Sequence, residues 1–269
     1  MFKNHTGKLP LLLCAGGLLL ALLFLILISC GSKGNPADAE AVSQGIAYLE
    51  SLEQKDPARV QQIRQEIYQK KLDAQRDEMI RQLKDDIVDP LSMFQDYALL
   101  GDSRSVGYWF WDFLSKDRVL ADGGHTIRKI PSHLDTLEQL NPSTIYLCYG
   151  LNDCSIGFWN TGEEYAEEYM DKVRQIRERL PEATIVISSI LPAQDPAFAQ
   201  SSRWYDIPEW NEALAAACEE NGVGFADCSQ LAAEHSNLYD PDGIHFREDF
   251  YPYWATELVI AALMEGYTE

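Results

Sequence analysis

Four short motifs contain the residue types that acyl-transfer chemistry needs. They are Gly101-Asp102-Ser103, Asp122-Gly123-Gly124, Gly150-Leu151-Asn152-Asp153 and Asp242-Gly243-Ile244-His245. A serine hydroxyl is a weak nucleophile until a base takes its proton, and a near-neutral imidazole such as that of His245 can accept this proton and return it. Each motif alone also has a plainer explanation, since Ser103 could cap a helix, Asn152 could close a turn, and paired glycines usually form turns.

Short apolar runs that alternate with amphipathic stretches would position these motifs. The runs predict strands at residues 97–100, 118–121, 144–149, 184–189 and 223–226, and the clearest helices are predicted at 163–180, 208–220 and 253–264. This alternation favours an α/β fold, a doubly wound, flavodoxin-like sheet of five parallel strands with helices on both faces. Ligands bind at the carboxyl ends of such strands, and three of the four motifs directly follow a predicted strand.

A polar segment at residues 37–89 precedes the predicted sheet. Its apolar residues recur at helical spacing, as in Val42, Ile46 and Leu49, and predict two helices. Asp56-Pro57 is a favourable start for the second helix, and Asp89-Pro90 ends it. The segment is either an α-helical stalk that holds the next domain away from a membrane, or a helical cover packed on that domain.

The first thirty residues predict export and a lipid anchor. An uncharged apolar run at residues 9–28 follows Lys3 and Lys8, as in a signal peptide. It ends in Leu27-Ile28-Ser29-Cys30, which resembles the lipobox of bacterial lipoproteins, in which the cysteine becomes the lipidated first residue. We expect a signal peptide at 1–29, a linker and stalk at 30–96, and a catalytic domain at 97–269. An uncleaved signal anchor, with Cys30 as an incidental thiol, is the alternative; both place the remainder outside the cytoplasmic membrane.

Composition excludes several classes of protein. The chain has 42 Asp+Glu against 22 Lys+Arg, a formal net charge of −20, and no basic block that would attract nucleic acid. Apolar residues at 46% and charged residues at 24% are typical of a folded protein rather than a disordered or collagenous one. No CxxC pattern or Cys/His cluster indicates zinc. The redox state of Cys148, Cys154, Cys218 and Cys228 is left open.

Taken in order, the four motifs resemble those of the SGNH (GDSL-type) hydrolase family. The resemblance covers residues 97–267 and leaves out the helical segment. It departs from the family at Arg104, where leucine is frequent, and at Asp122, where asparagine is frequent. These departures leave the four positions that carry the chemistry unchanged.

The resemblance implies a catalytic triad and an oxyanion hole. Ser103 would be the nucleophile, His245 the base, and Asp242 the carboxylate that orients the imidazole. The amides of Ser103 and Gly124 and the side-chain amide of Asn152 would stabilise the oxyanion. No metal and no cofactor are implied.

We therefore expect a membrane-tethered, extracytoplasmic serine esterase that acts through an acyl-serine intermediate. Its substrate would be an ester-bearing small molecule or glycan, and an acetyl ester of a cell-envelope or environmental glycan is favoured. The alternatives are an O-acyltransferase with the same triad and a non-catalytic glycan-binding lipoprotein. Oligomeric state is left open. Two sets of aromatic residues bear on substrate binding: the loop residues Phe158, Trp159, Trp204 and Tyr205 are candidates for stacking on a sugar, whereas Trp109, Phe110 and Trp111 favour core packing.

Overall fold

The structure is a computed structural model that describes residues 36–53 and 57–266. The predicted signal peptide and Cys30 lie outside these residues. None of the helices in the described ranges has the length and apolar character needed to span a bilayer. The chain divides into two compact units, with the division between Gln69 and Lys70.

The described residues of the first unit, 36–53 and 57–69, are helical, as the polar segment predicts. Helix α1 covers Pro36–Glu53, and helix α2 covers Pro57–Lys84 and continues into the second unit. Pro57 is tolerated at the start of α2 because the first amides of a helix have no intrahelical acceptor. Val42 and Ile46 of α1 are both nearly half exposed.

The second unit contains the predicted sheet of five parallel strands. The strands are β1 (Tyr97–Gly101), β2 (Val119–Ala121), β3 (Thr144–Cys148), β4 (Thr184–Ser188) and β5 (Gly224–Ala226). Their spatial order is β2-β1-β3-β4-β5, and every neighbouring pair is parallel. The chain leaves β1 toward β2 on one side and later returns as β3 on the other. A crevice therefore opens at the carboxyl ends of β1 and β3, where ligands bind in folds of this type.

Helices follow the strands as the amphipathic stretches predict. They are α3 (Gly107–Phe110), α4 (Leu134–Leu140), α5 (Leu151–Ile156), α6 (Gly162–Arg179), α7 (Ile207–Asn221), α8 (Ser229–Glu234) and α9 (Tyr251–Glu265). The three helices expected from the sequence correspond to α6, α7 and α9. The α/β fold and its parallel sheet are confirmed.

Two apolar cores lie on opposite faces of the sheet because successive strand residues point to opposite sides. Leu100, Leu147 and Ile187 belong to the core that includes α6 and α7. Their neighbours along the strands, Leu99, Tyr146 and Val186, belong to the core that includes α9. The sheet is therefore covered on both faces, which restricts solvent access to its ends and edges.

The end of α2 contributes to the second of these cores. Leu83 is 1% exposed and belongs to the same cluster as Phe94 and Tyr97. Residues 70–84 thus form part of the compact unit that holds the sheet. The proposed domain boundary at residue 97 stays a prediction.

Candidate active site

Ser103 lies in the turn that directly follows β1, at the carboxyl edge of the sheet. It is partly exposed, whereas Asp102 and Arg104 on either side are buried. The turn packs closely on β3: a Cβ at Gly101 would come within 2.1 Å of Ser105 Oγ and 2.7 Å of the Cys148 oxygen. A glycine at position 101 therefore allows the close approach that presents the Ser103 side chain at the surface.

His245 and Asp242 form a continuous hydrogen-bond chain with Ser103. The distance from His245 Nε2 to Ser103 Oγ is 2.9 Å, and that from His245 Nδ1 to Asp242 Oδ2 is 2.6 Å. The side chains of His245 and Asp242 are each 41% exposed, so the chain is open to solvent. Ser103 and His245 lie 142 positions apart in sequence and are brought together by the fold.

The loop that carries Asp242 and His245 is a tight turn closed by backbone hydrogen bonds. Asp240 N donates to His245 O at 2.8 Å, and Gly243 has a φ of +72°. The turn requires glycine at position 243 for two reasons. Residues with a side chain rarely adopt a positive φ, and a Cβ here would lie 2.5 Å from the Gln194 oxygen. The turn directs the side chains of Asp242 and His245 toward each other.

The second carboxylate oxygen of Asp242 is also occupied. Asp242 Oδ1 accepts hydrogen bonds from Ile244 N at 2.8 Å and from His245 N at 3.0 Å. Burial on its own raises the pKa of Asp242, but the hydrogen bonds from the His245 ring and from these two amides outweigh it. The pKa of Asp242 therefore lies below its ordinary value. A carboxylate that stays ionised can orient the imidazole and stabilise its protonated form.

Asn152 and Gly124 follow β3 and β2, the two strands that neighbour β1 in the sheet. Asn152 is in the first turn of α5, directly after β3, and its Nδ2 donates to the His125 oxygen at 3.0 Å. Gly124 follows β2 and is exposed. An amide nitrogen carries two hydrogens, so this bond holds the Asn152 side chain and leaves its second hydrogen available.

Asp153 fixes the loop after β2 through a second contact, which sequence reasoning missed. Asp153 Oδ1 accepts a hydrogen bond from Ile127 N at 3.0 Å, while Oδ2 is buried without a partner in the described part of the chain. Burial raises the pKa of Asp153 to about 8. Adjacent residues Asn152 and Asp153 thus both hold the loop that carries Gly124. Because Asn152 and Asp153 are adjacent in one motif, their shared contact with this loop could have been predicted from the sequence.

The aromatic residues near the strand ends divide by exposure. Trp159 and Trp204 are buried, which excludes them from a surface platform, whereas Phe158 is 49% and Tyr205 is 60% exposed. The Tyr205 ring lies flat on Phe198, with ring centroids 3.9 Å apart. The expectation of core packing is wrong for Phe110 and Trp111, whose side chains are exposed at the end of the short helix α3.

The fold and the site define a class of protein. A serine, a histidine and an aspartate joined by hydrogen bonds at the carboxyl edge of a doubly wound sheet are arranged as in serine hydrolases, where the same geometry recurs on several folds. The family model of the GDSL-like lipase/acylhydrolase family matches residues 92–251, more than half of the chain. The chain belongs to this family and is an ester hydrolase, and the SGNH-type resemblance is confirmed.

Solved structures agree at the level of the fold. A GDSL-like lipase of Bacteroides thetaiotaomicron is similar with a TM-score of 0.53 and 16% identity, over 69% of this chain and 97% of that one. A protein described as a GDSL-like lipase, from Parabacteroides merdae, is similar with a TM-score of 0.53 and 16% identity, over 62% and 94% of the two chains. No curated protein matches the sequence.

Proposed function

We propose that this protein is a serine esterase in which Ser103, His245 and Asp242 act as a catalytic triad. The observation that carries the proposal is the hydrogen-bond chain from Ser103 Oγ through the His245 ring to Asp242, with distances of 2.9 and 2.6 Å. Nucleophile and base are within direct proton-transfer distance, and the base is oriented by a third group.

The first half of the reaction transfers the acyl group to the enzyme. Ser103 Oγ bonds to the ester carbonyl carbon while its proton passes to His245 Nε2. The tetrahedral intermediate then collapses, the bond to the alcohol oxygen breaks, and His245 gives its proton to that oxygen. Asp242 stabilises the imidazolium that exists between these two steps.

The second half releases the acid. A water molecule gives a proton to His245 as its oxygen bonds to the acyl carbon, and the bond to Ser103 Oγ then breaks with return of that proton. In both halves the amides of Ser103, Gly124 and Asn152 would donate hydrogen bonds to the developing oxyanion.

The proposed location is the extracytoplasmic side of the cell membrane, with Cys30 as the lipidated residue. The sequence Leu27-Ile28-Ser29-Cys30 after an apolar run supports this part of the proposal. The proposed substrate is an acetyl ester on a glycan. Two features support it: the triad is open to solvent, and the rings of Phe158 and Tyr205 are exposed in the connections that lead from β3 to β4 and from β4 to β5.

Acetate release from an acetylated glycan by the detergent-solubilised full chain tests the proposal. Wild-type protein should release acetate and hydrolyse p-nitrophenyl acetate, and Ser103→Ala should do neither above background. Ser105→Ala is a matched control, because Ser105 lies in the same turn but contacts the Cys148 oxygen rather than His245. Activity that survives Ser103→Ala would overturn the triad, and acyl transfer to an added sugar in place of acetate release would show an acyltransferase.

A further inference from the structure

Arg104 is one of the two residues at which this chain departs from its family, and it is one of the few buried charged residues in the described ranges. It follows Ser103 directly and is 3% exposed. Removing a guanidinium from water is costly unless its donors are bound, so a buried arginine requires nearby acceptors. Its acceptors therefore indicate what the residue does.

The guanidinium donates to backbone oxygens on two separate loops. Arg104 Nε donates to the Ile244 oxygen at 3.0 Å, in the loop that carries the proposed base. Arg104 Nη2 donates to the Pro192 oxygen at 3.3 Å and Nη1 to the Leu191 oxygen, both in the segment after β4. The Phe246 ring lies against the same group, 5.5 Å from its central carbon. Arg104 thus joins the turn after β1 to the histidine loop and to the segment after β4.

The bond to Ile244 acts on the peptide group from which His245 extends. The amide hydrogen of this Ile244–His245 peptide is donated to Asp242 Oδ1 at 3.0 Å, and its oxygen accepts from Arg104. Both polar atoms of the peptide are therefore hydrogen-bonded, which limits rotation of the peptide plane. The position of the His245 Cα, from which the imidazole side chain extends, is fixed as a result.

Two parallel contacts join the nucleophile turn to the histidine loop. Ser103 meets His245 at 2.9 Å, and the next residue, Arg104, meets the preceding residue, Ile244, at 3.0 Å. Any displacement of the histidine loop away from Ser103 would also break the buried Arg104 bond. The bond between Arg104 and Ile244 therefore opposes separation of His245 from Ser103.

The backbone of Arg104 is itself anchored. The hydroxyl of Tyr251, in α9, donates to the Arg104 oxygen at 2.9 Å, and Arg104 N donates to Asp102 Oδ1 at 3.0 Å. Burial raises the pKa of Asp102, and the nearby positive charge of Arg104 opposes this increase. The guanidinium thus extends from a fixed backbone.

We propose that Arg104 is a positioning residue that holds the Ile244–His245 peptide so that the imidazole stays within hydrogen-bond distance of Ser103 Oγ. The inference rests on the proposed function, since it concerns the attack by Ser103. A leucine side chain has no donor for these three carbonyl oxygens, so a leucine at position 104 could not hold this peptide.

The experiment compares Arg104→Lys and Arg104→Leu with the wild type in the detergent-solubilised full chain. Lysine keeps the charge but cannot bridge both loops with the planar fork of arginine. Readouts are kcat and KM for p-nitrophenyl acetate and the rate at which a fluorophosphonate labels Ser103, each per folded molecule. Because small displacements of catalytic groups cost up to about 100-fold in rate, we expect both variants to lose roughly 10- to 100-fold in kcat and labelling rate. KM should change little.

Arg177→Lys is the matched control. Arg177 also donates to two backbone oxygens, of Asn221 at 2.9 Å and Gly222 at 2.5 Å, at the end of α7 remote from Ser103 in the fold. This substitution should leave kcat and the labelling rate unchanged.

The outcomes separate the two proposals. A wild type that neither hydrolyses the ester nor reacts with the fluorophosphonate would overturn the proposed function. An active wild type with a folded Arg104→Lys variant of equal kcat and labelling rate would overturn the positioning role alone. If Arg104→Leu does not fold, Arg104→Lys decides, and failure of both to fold would assign Arg104 a structural role and also overturn the proposal.

Discussion

Replacing Asp242 by asparagine removes the acceptor that faces the His245 ring but keeps the acceptor for the two loop amides. The asparagine oxygen can still accept the two amide hydrogen bonds, from Ile244 at 2.8 Å and His245 at 3.0 Å, that close the loop. The asparagine nitrogen, however, would donate to His245 Nδ1 where the carboxylate accepts at 2.6 Å. The imidazole would then carry its proton on Nε2, which could no longer accept the proton of Ser103.

The size of the effect follows from this change of tautomer. In a serine triad an aspartate-to-asparagine change lowers kcat by about 10⁴-fold. At roughly 1.36 kcal/mol for each factor of ten, this is about 5.5 kcal/mol of activation free energy. The folded state should change little, because the Asp242 side chain is 41% exposed and exposed ion pairs contribute only about 0–1 kcal/mol.

Ester hydrolysis and thermal unfolding of Asp242→Asn check this prediction together. Asp240→Asn is the control, because Asp240 lies in the same loop and its carboxylate is 4.0 Å from Arg247 Nε. The control should keep a kcat close to that of the wild type. An Asp242→Asn variant within tenfold of wild-type kcat would refute the assignment of Asp242 as the residue that orients His245.

Three further predictions follow from the site and the N-terminus. Asn152→Ala should lower kcat by about 10²- to 10³-fold with little change in KM, because an oxyanion donor acts mainly in the transition state. Asp153, with a pKa raised to about 8 by burial, binds a proton on folding at neutral pH. The free energy of unfolding should therefore fall as the pH rises from roughly pH 4 to pH 8, by up to about 1.4 kcal/mol per pH unit. Urea unfolding at a series of pH values measures this slope. Asp153→Asn, which can still accept the bond from Ile127, should remove this slope. Cys30→Ser should abolish labelling by a fatty-acid analogue.

Each of these predictions has a control and an outcome that contradicts it. Asn160→Ala alters an exposed asparagine on the next loop and should leave kcat unchanged, while a stable Asn152→Ala variant with normal kcat would remove Asn152 from the oxyanion hole. Asp135→Asn, at an 86% exposed side chain, should keep the wild-type pH dependence of stability. The same pH dependence in Asp153→Asn would contradict the buried neutral carboxyl. Cys14→Ser should still be labelled, and full labelling of Cys30→Ser would refute the lipid anchor.

The fold could be predicted because its signal is local. Residues 144–148 and 184–188 are short apolar runs buried on both faces, and helices α6 and α7 between the later strands have ends marked by Pro181 and Gly222. Parallel pairing follows from this alternation, since each crossover helix must return the chain to the same end of the sheet. The strand bounds differ from the predictions only at their ends, where short-range patterns are weakest.

The loops gave no such signal, because they have no periodicity. Phe158 and Trp159 are neighbours in sequence, yet the first is 49% and the second 3% exposed. Trp204 and Tyr205 differ in the same way. Which ring faces solvent depends on contacts with distant segments, such as the bond from Trp204 Nε1 to the Leu151 oxygen at 2.8 Å.

The sequence by itself determined the parallel α/β sheet and the candidate residues Ser103, Asn152, Asp242 and His245. Each of these four residues lies in a short motif, and the position of that motif after a strand or before the last helix follows from the local sequence pattern. Only the tertiary structure decided how these residues are held. The partners of Arg104 lie 87 to 140 positions away in sequence and are backbone oxygens, which leave no mark on the identity of the residues that carry them. A buried arginine that holds the peptide of His245 is therefore visible only once the strand-end loops have been brought together by the sheet.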